Sequence, residues 1–330
     1  MDCTPVWFMR QAGRYMQAFR DLRAQYSLLT VCRTPELATE VTLQPVRRFD
    51  LDAAIIFADI LLPLPPMGLD LEFVKGEGPT IGNPVRDEAG VSALRPVVPE
   101  ESLGYVMEAI RQARRALTVP LIGFGGAPFT LASYMIEGGH SRNYIETKRM
   151  MYGAPDLWAR LMQKITRVLC DYLTAQVAAG AQAIQLFDSW VGALSPQDYR
   201  RYVFPFTKAL LDALHRTGVP IIHFGTGTAT LLTLQKEAGG DVIGVDWRIP
   251  LDEAWRQLGD VAIQGNLDPV LLFAPLPEIE RQVDDILVRA ANRPGHIFNL
   301  GHGILPGTPM DSVEAVIARV HQKSARARMA

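Results

Sequence analysis

The sequence is poor in cysteine, in charge of one sign and in long apolar runs. Only Cys3, Cys32 and Cys170 occur, far apart and odd in number. They make neither a disulfide framework nor a paired metal motif, so buried or idle thiols in a reducing cytosol are expected. No apolar run approaches the ~18 residues that would suggest a membrane span. Lys and Arg total 33 against 35 Asp and Glu, for a formal net charge of −2. No long basic tail is present, which argues against a nucleic-acid partner. Met1-Asp2-Cys3-Thr4 lacks the basic start of a secretory signal, so the expected location is cytoplasmic.

Several cofactor signatures are missing as well. Gly123-Phe124-Gly125-Gly126 lacks the third glycine of a dinucleotide fingerprint, and no phosphate-cradling loop is present. No lysine ends a buried apolar run, which weakens Schiff-base chemistry. No His-Cys or Asp-Glu group has metal-ligand spacing. The sequence therefore points to chemistry without an organic cofactor or a metal.

What is there is a local concentration of arginine. Arg10 and Arg14 stand four residues apart in Met9-Arg10-Gln11-Ala12-Gly13-Arg14-Tyr15, and Arg20 and Arg23 follow. The chain as a whole is slightly acidic, so composition does not account for the cluster. A guanidinium is a rigid fork of donors that fits carboxylate or phosphate and keeps its charge. The cluster suits a ligand with several anionic groups. A solvated helix face reads equally well from spacing alone, with Arg20-Asp21-Leu22-Arg23 pairing internally.

A pattern of short apolar runs spans the chain. They are Val6 to Met9, Ala53 to Phe57, Pro120 to Phe124, Ala183 to Phe187, Pro220 to Phe224, Val242 to Asp246, Ala262 to Gly265, and His296 to Asn299. Runs that are apolar throughout suit parallel strands buried on both faces. Helix-like stretches lie between them. Thr34-Pro35-Glu36 and Ser195-Pro196-Gln197-Asp198 each begin with an N-cap residue followed by proline. Pro155 to Ala179 is long and amphipathic, and Asp311 to Arg326 closes the chain. Eight such runs alternating with helices predict one α/β domain, a (β/α)₈ TIM barrel over residues 1–330. A doubly wound open sheet is the alternative. Leu61 to Val98, with its turn at Gly76-Glu77-Gly78-Pro79, reads as a hairpin-like excursion inserted after the second strand.

A barrel carries its chemistry where the strands end. There the sequence puts Arg10 and Arg14, Asp59, Gly125 and Gly126 with Tyr134 beyond, Asp188 and Ser189, Thr226, Asp246, Asn266 and Asp268, and His302 between two glycines. Each has a plain reading. Asp59, Asp188 and Asp268 read as caps or paired acids, Tyr134 as core, His302 and His140 as loop residues. Together they form a polar set at one end, suited to proton transfer on a polyanionic ligand.

These residues carry a family resemblance. The segments Pro5-Val6-Trp7-Phe8-Met9-Arg10-Gln11-Ala12-Gly13-Arg14-Tyr15, Phe57-Ala58-Asp59-Ile60-Leu61, Gly123 to Thr130, Tyr134 to Gly139, Gln185-Leu186-Phe187-Asp188-Ser189-Trp190, Gln264 to Pro269 and Asn299-Leu300-Gly301-His302-Gly303 resemble, in order, the uroporphyrinogen decarboxylases. The resemblance covers nearly the whole chain. It implies a barrel that forms a homodimer with clefts facing each other. It also implies cofactor-independent decarboxylation of the four acetates of uroporphyrinogen III, giving coproporphyrinogen III. Carried onto matching positions, Arg10 and Arg14 hold substrate carboxylates, with Gln11, Ala12 and Gly13 in the same binding run and Arg23 a further candidate. Asp59 accepts hydrogen bonds from the pyrrole NH groups. Tyr134, Ser189 and His302 contact carboxylate arms or help set the reacting geometry. The family carries a longer lead before Pro5 than Met1 to Thr4, a departure that bears on folding and on the wall of the cleft. A related barrel, the corrinoid-linked methyltransferases, uses a His-x-Cys zinc pair, but here the fifth run ends His223-Phe224-Gly225.

Overall fold

The computed structural model describes residues 3–74 and 78–325. Seven strands form one parallel sheet: β1 (Ala54–Ile55), β4 (Leu121–Gly126), β5 (Ala183–Asp188), β6 (Ile221–Gly225), β7 (Val242–Gly244), β8 (Ala262–Gln264) and β9 (His296–Ile297), paired in that order. A separate antiparallel ribbon pairs β2 (Leu71–Val74) with β3 (Gly78–Ile81). Helices lie between successive sheet strands, giving an α/β barrel-like architecture. β4 and β6 are buried along their whole length, which is why their sequences show no polar alternation, His223 being the one polar residue between them.

The first apolar run departs from expectation. Val6 makes one isolated parallel bridge with Phe298 and no regular strand. Phe298 N–H donates to the Pro5 carbonyl at 2.9 Å, and Asp52 N–H donates to the Val6 carbonyl at 2.9 Å, so the segment meets both edges of the sheet. A ladder does not extend because side chains take the free N–H groups. Asp52 Oδ2 accepts from Val6, Gln11 Oε1 from Phe8 and Asn299 Oδ1 from Met9, at 2.7, 3.0 and 3.1 Å. Such local bonds compete directly with strand pairing.

The helix starts fall where the sequence places them, with one difference in detail. Ser195 accepts from Asp198 N–H as a cap should, but Thr34 makes no side-chain cap bond. The Ser195 start also gives only a short turn, Pro196–Asp198, which passes into a π-helical stretch at Tyr199–Val203 before the helix Phe204–His215. The long helix is Pro155–Ala178; it buries Trp158, Leu161, Met162, Ile165, Leu169, Tyr172 and Leu173 at helical spacing. The closing helix is Met310–Ser324; its expected end at Arg326, like Gly76 and Glu77 of the expected turn, lies outside the described residues. None of the helices described is long and apolar enough to cross a membrane.

The ribbon is tied to one helix in particular. Ile81 N–H donates to the Gly138 carbonyl and Val85 N–H to the Met135 carbonyl, both at 2.8 Å. These contacts anchor it at the end of the helix Pro128–Glu137, which carries Tyr134.

Candidate active site

The arginine loop is held from inside. Gln11 is fully buried; its Oε1 accepts from Phe8 N–H and its Nε2 donates to the Ala53 carbonyl at 3.0 Å. Tyr15 hydroxyl donates to the Gln11 carbonyl at 2.7 Å, and Ile304 N–H to the Met9 carbonyl at 2.9 Å. The Gln11 side chain is thus committed to the backbone. Arg10 itself sits at φ 59°, a left-handed conformation uncommon for a residue with a Cβ. Gly13 is required nearby, since a Cβ there would stand 2.9 Å from the Arg10 carbonyl oxygen. Ala12 is half-buried between them.

Asp59 follows β1 and is half-buried. Its Oδ1 accepts from Leu61 N–H at 2.9 Å, the local bond of the plain reading, and Oδ2 has no protein donor among the described residues. Burial pushes its carboxyl above the ordinary range, against the pull of the Leu61 N–H and the Arg10 guanidinium. Tyr134 is held by stacking on Trp190, with ring centroids 3.8 Å apart and planes at 30°. Burial raises its hydroxyl pKa, the Asp59 carboxylate raises it further, and Arg10 opposes both. His302 accepts from Gly303 N–H on Nδ1 at 2.7 Å, which places the proton of the neutral ring on Nε2. Burial first, then Arg10 and Arg248, push it down to about 4, against Asp246. Arg10, Asp59, Tyr134 and His302 therefore share one electrostatic neighbourhood although they come from four separate parts of the chain.

The other expected residues fall around this group. Arg14 is exposed and borders a 660 Å³ cavity with Tyr15, Arg20, Pro306, Gly307, Thr308 and Met310. Arg20 is used locally: it donates to the Arg14 and Tyr15 carbonyls at 2.9 and 2.8 Å. Arg23 donates to the Tyr26 carbonyl, and partial burial lowers its pKa, opposed by Cys32 and reinforced by Arg14. Burial holds the Cys32 thiol up at about 12, with Asp59 adding to the shift, so it stays protonated. Ser189 is half-buried, and its carbonyl accepts from the Thr226 hydroxyl. His140 is exposed, its ring 6.0 Å from Trp190. Asp268 caps the short 3₁₀ turn at Pro269–Phe273, and Asp246 accepts from Gly227 N–H and pairs with Arg248. A second cavity, 540 Å³, lies beside Trp247, Arg248 and Asp268 and does not include Asp59.

Sequence reasoning gave no separate role to Trp190 or Gly303, which the structure sets against Tyr134 and Arg10. Trp190 directly follows Asp188 and Ser189 at a strand end, which was the available signal. Gly303 allows the stem of Arg10 to pass: a Cβ there would meet Arg10 Cδ at 2.5 Å. His223, the position that zinc chemistry would use, is fully buried, hydrogen-bonded through Nδ1 to the Gly239 carbonyl and pushed down to about 4 by burial. Among the described residues no group of three or more His, Cys, Asp or Glu is arranged to hold a metal ion.

Comparison with known proteins gives one family. The profile described as Uroporphyrinogen decarboxylase (URO-D) matches residues 1–323. The chain is 61% identical over 323 residues to the uroporphyrinogen decarboxylase of Sorangium cellulosum, covering 97% of this chain and 92% of that protein. It is 56% identical over 321 residues to the uroporphyrinogen decarboxylase of Thermus thermophilus, covering 97% and 94%. Among solved structures, a methyltransferase from Methanosarcina mazei superposes with a TM-score of 0.82 at 20% identity, covering 98% of this chain and 95% of that one; this likeness concerns the fold alone.

Proposed function

The chain belongs to the uroporphyrinogen decarboxylase family, and on that footing we propose that its cleft around Asp59 decarboxylates the acetate arms of uroporphyrinogen in tetrapyrrole biosynthesis. One observation carries the assignment of the site. A half-buried carboxylate, Asp59, has one oxygen without a protein partner among the described residues, and it lies within the field of Arg10, which also acts on Tyr134 and His302.

The chemistry follows from what the substrate needs. Loss of CO₂ from an acetate on a pyrrole requires an electron sink. Protonation of the ring carbon provides one. The bond between the methylene and the carboxylate then breaks, its electron pair flows into the ring, and CO₂ leaves. A proton adds to the exocyclic methylene to make the methyl group, and the ring carbon gives its proton back. Each turn consumes one proton. Asp59, under the pyrrole NH groups, favours the cationic intermediate. In a water-poor cleft one such preorganised charge contributes about 3–4 kcal/mol. Arg10 and Arg14 hold carboxylates and compensate their charge. An always-charged guanidinium is a poor acid, so they serve mainly to position. Tyr134, Ser189 and neutral His302 contact the carboxylate arms.

The same reading extends to finer points. All four acetates of isomer III react, giving coproporphyrinogen III. The Val6–Met9 run completes a (β/α)₈ barrel as its eighth element, supported by the bonds of Pro5 and Val6 toward both sheet edges. The Leu61–Val98 excursion borders the cleft, supported by its ties to the helix of Tyr134. The protein works as a cytoplasmic homodimer.

The test is anaerobic incubation of purified protein with uroporphyrinogen III, followed by oxidation and chromatography by carboxylate number. Stepwise appearance of hepta-, hexa-, penta- and tetracarboxylate species is expected. Unchanged substrate from a folded protein that binds it would replace the enzyme reading with that of a tetrapyrrole-binding protein.

A further inference from the structure

We propose that Asp188 is a positioning residue for this cleft, acting through Thr130 and Trp190 on Tyr134. The inference rests on the decarboxylase reading above. Asp188 ends β5 and is fully buried. Its Oδ1 accepts from the Thr130 hydroxyl at 3.0 Å, and the same hydroxyl accepts from Trp190 N–H at 3.3 Å. Thr130 lies one helical turn before Tyr134 in the helix Pro128–Glu137. Trp190 lies two residues after Asp188. The hydroxyl therefore pins the strand end to the helix at one point, and the Trp190–Tyr134 stack joins the same two segments at a second. Tyr144 adds a third ring, 5.4 Å from Trp190. The two clamps together fix the Tyr134 ring against Trp190, where Asp59 and Arg10 act on its hydroxyl.

Stability alone does not account for Asp188. Its Oδ2 is buried and has no partner among the described residues, and an unsatisfied buried oxygen is costly. Burial also lifts its carboxyl to about 7, against the Thr130 bond. An apolar residue would fill the space at lower cost. A costly buried acid next to a catalytic cleft is where a functional role is expected.

The experiment uses Asp188→Leu, which removes the acceptor, and Asp188→Asn, which keeps an oxygen, each alone and combined with Tyr134→Phe. Thr130→Val is a second way to break the clamp. Asp188→Leu and Thr130→Val should lower kcat by about tenfold to a hundredfold, as a misplaced catalytic group does, with little change in KM. Asp188→Asn should retain most activity. On the Tyr134→Phe background the penalty should disappear, because the affected group is already gone. Near-UV circular dichroism should show both clamp-breaking variants losing the band that Trp190→Phe also loses. Wild-type kcat or unchanged dichroism in a folded Asp188→Leu protein overturns the proposal, as does a penalty undiminished by Tyr134→Phe. A wild-type protein that forms no decarboxylated product would instead refute the decarboxylase reading on which it rests.

Discussion

Arg10 and Gly303 pack so closely that a Cβ at position 303 would stand 2.5 Å from Arg10 Cδ and 2.7 Å from Cγ. The backbone at Gly303 is not left-handed, so a side chain there would be excluded by the arginine and not by strain. Gly303→Ala should fold, displace the guanidinium and lower kcat/KM by about tenfold or more. Steady-state kinetics beside a thermal melt checks this. Unaltered kcat/KM would mean that the observed Arg10 position is not the one the reaction uses.

Asp59→Asn separates catalysis from stability. Asparagine can still accept from Leu61 N–H, so the local turn is kept. Burial penalises the charge at this position, so its removal should leave stability equal or higher at neutral pH. Turnover should fall by about a hundredfold or more. Wild-type-like turnover would remove the central-carboxylate mechanism.

Gln11→Leu should act mainly on the fold. It strips partners from Phe8 N–H and the Ala53 carbonyl. Leaving two such groups unpaired costs about 2–6 kcal/mol. A urea midpoint close to wild type would show that the arginine loop is held by something else.

Arg14→Ala and Arg23→Ala should differ. Arg14 is exposed beside a cavity, whereas Arg23 is already used on the Tyr26 carbonyl. Loss of a charged hydrogen bond to a substrate carboxylate costs about 1.5–3 kcal/mol, so Arg14→Ala should raise KM by about tenfold or more. Arg23→Ala should stay within about twofold of wild type. Equal effects on KM would place both guanidiniums on substrate.

His302 makes a pH prediction with a definite sign. Its pKa falls from 6.5 to about 4 on folding, so the unfolded chain takes up a proton that the folded protein refuses. Its contribution to stability is full above 6.5 and is lost as pH falls toward 4. His302→Gln should remove that loss. Measured by denaturant unfolding from about pH 7 to about pH 4, the wild type should lose more stability than the variant. Parallel curves would show an ordinary pKa at this position.

Much of the framework was readable because buried parallel strands are apolar on both faces. Seven of the eight apolar runs are strands of one sheet. Arg10, Asp59 and His302 could be picked out by the rule that barrels work at their strand ends. The first run is as apolar as the others, but it pairs only through a single bridge between Val6 and Phe298. Its failure to extend a ladder depends on oxygens of Asp52, Gln11 and Asn299, two of them distant in sequence. Gln11 sits inside the most recognisable motif, and its motif position hides that its side chain is turned inward.

Sequence periodicity and strand-end chemistry thus determined the class of fold and singled out the arginine loop and Asp59. The tertiary structure alone decided how those groups are aimed. The Tyr134–Trp190 stack, the Asp188–Thr130 clamp and the Gly303 passage for Arg10 join residues from different elements. Periodicity reports which face of an element is buried. It carries no information about which distant atom will fill a given space, because that contact exists only after the elements have packed.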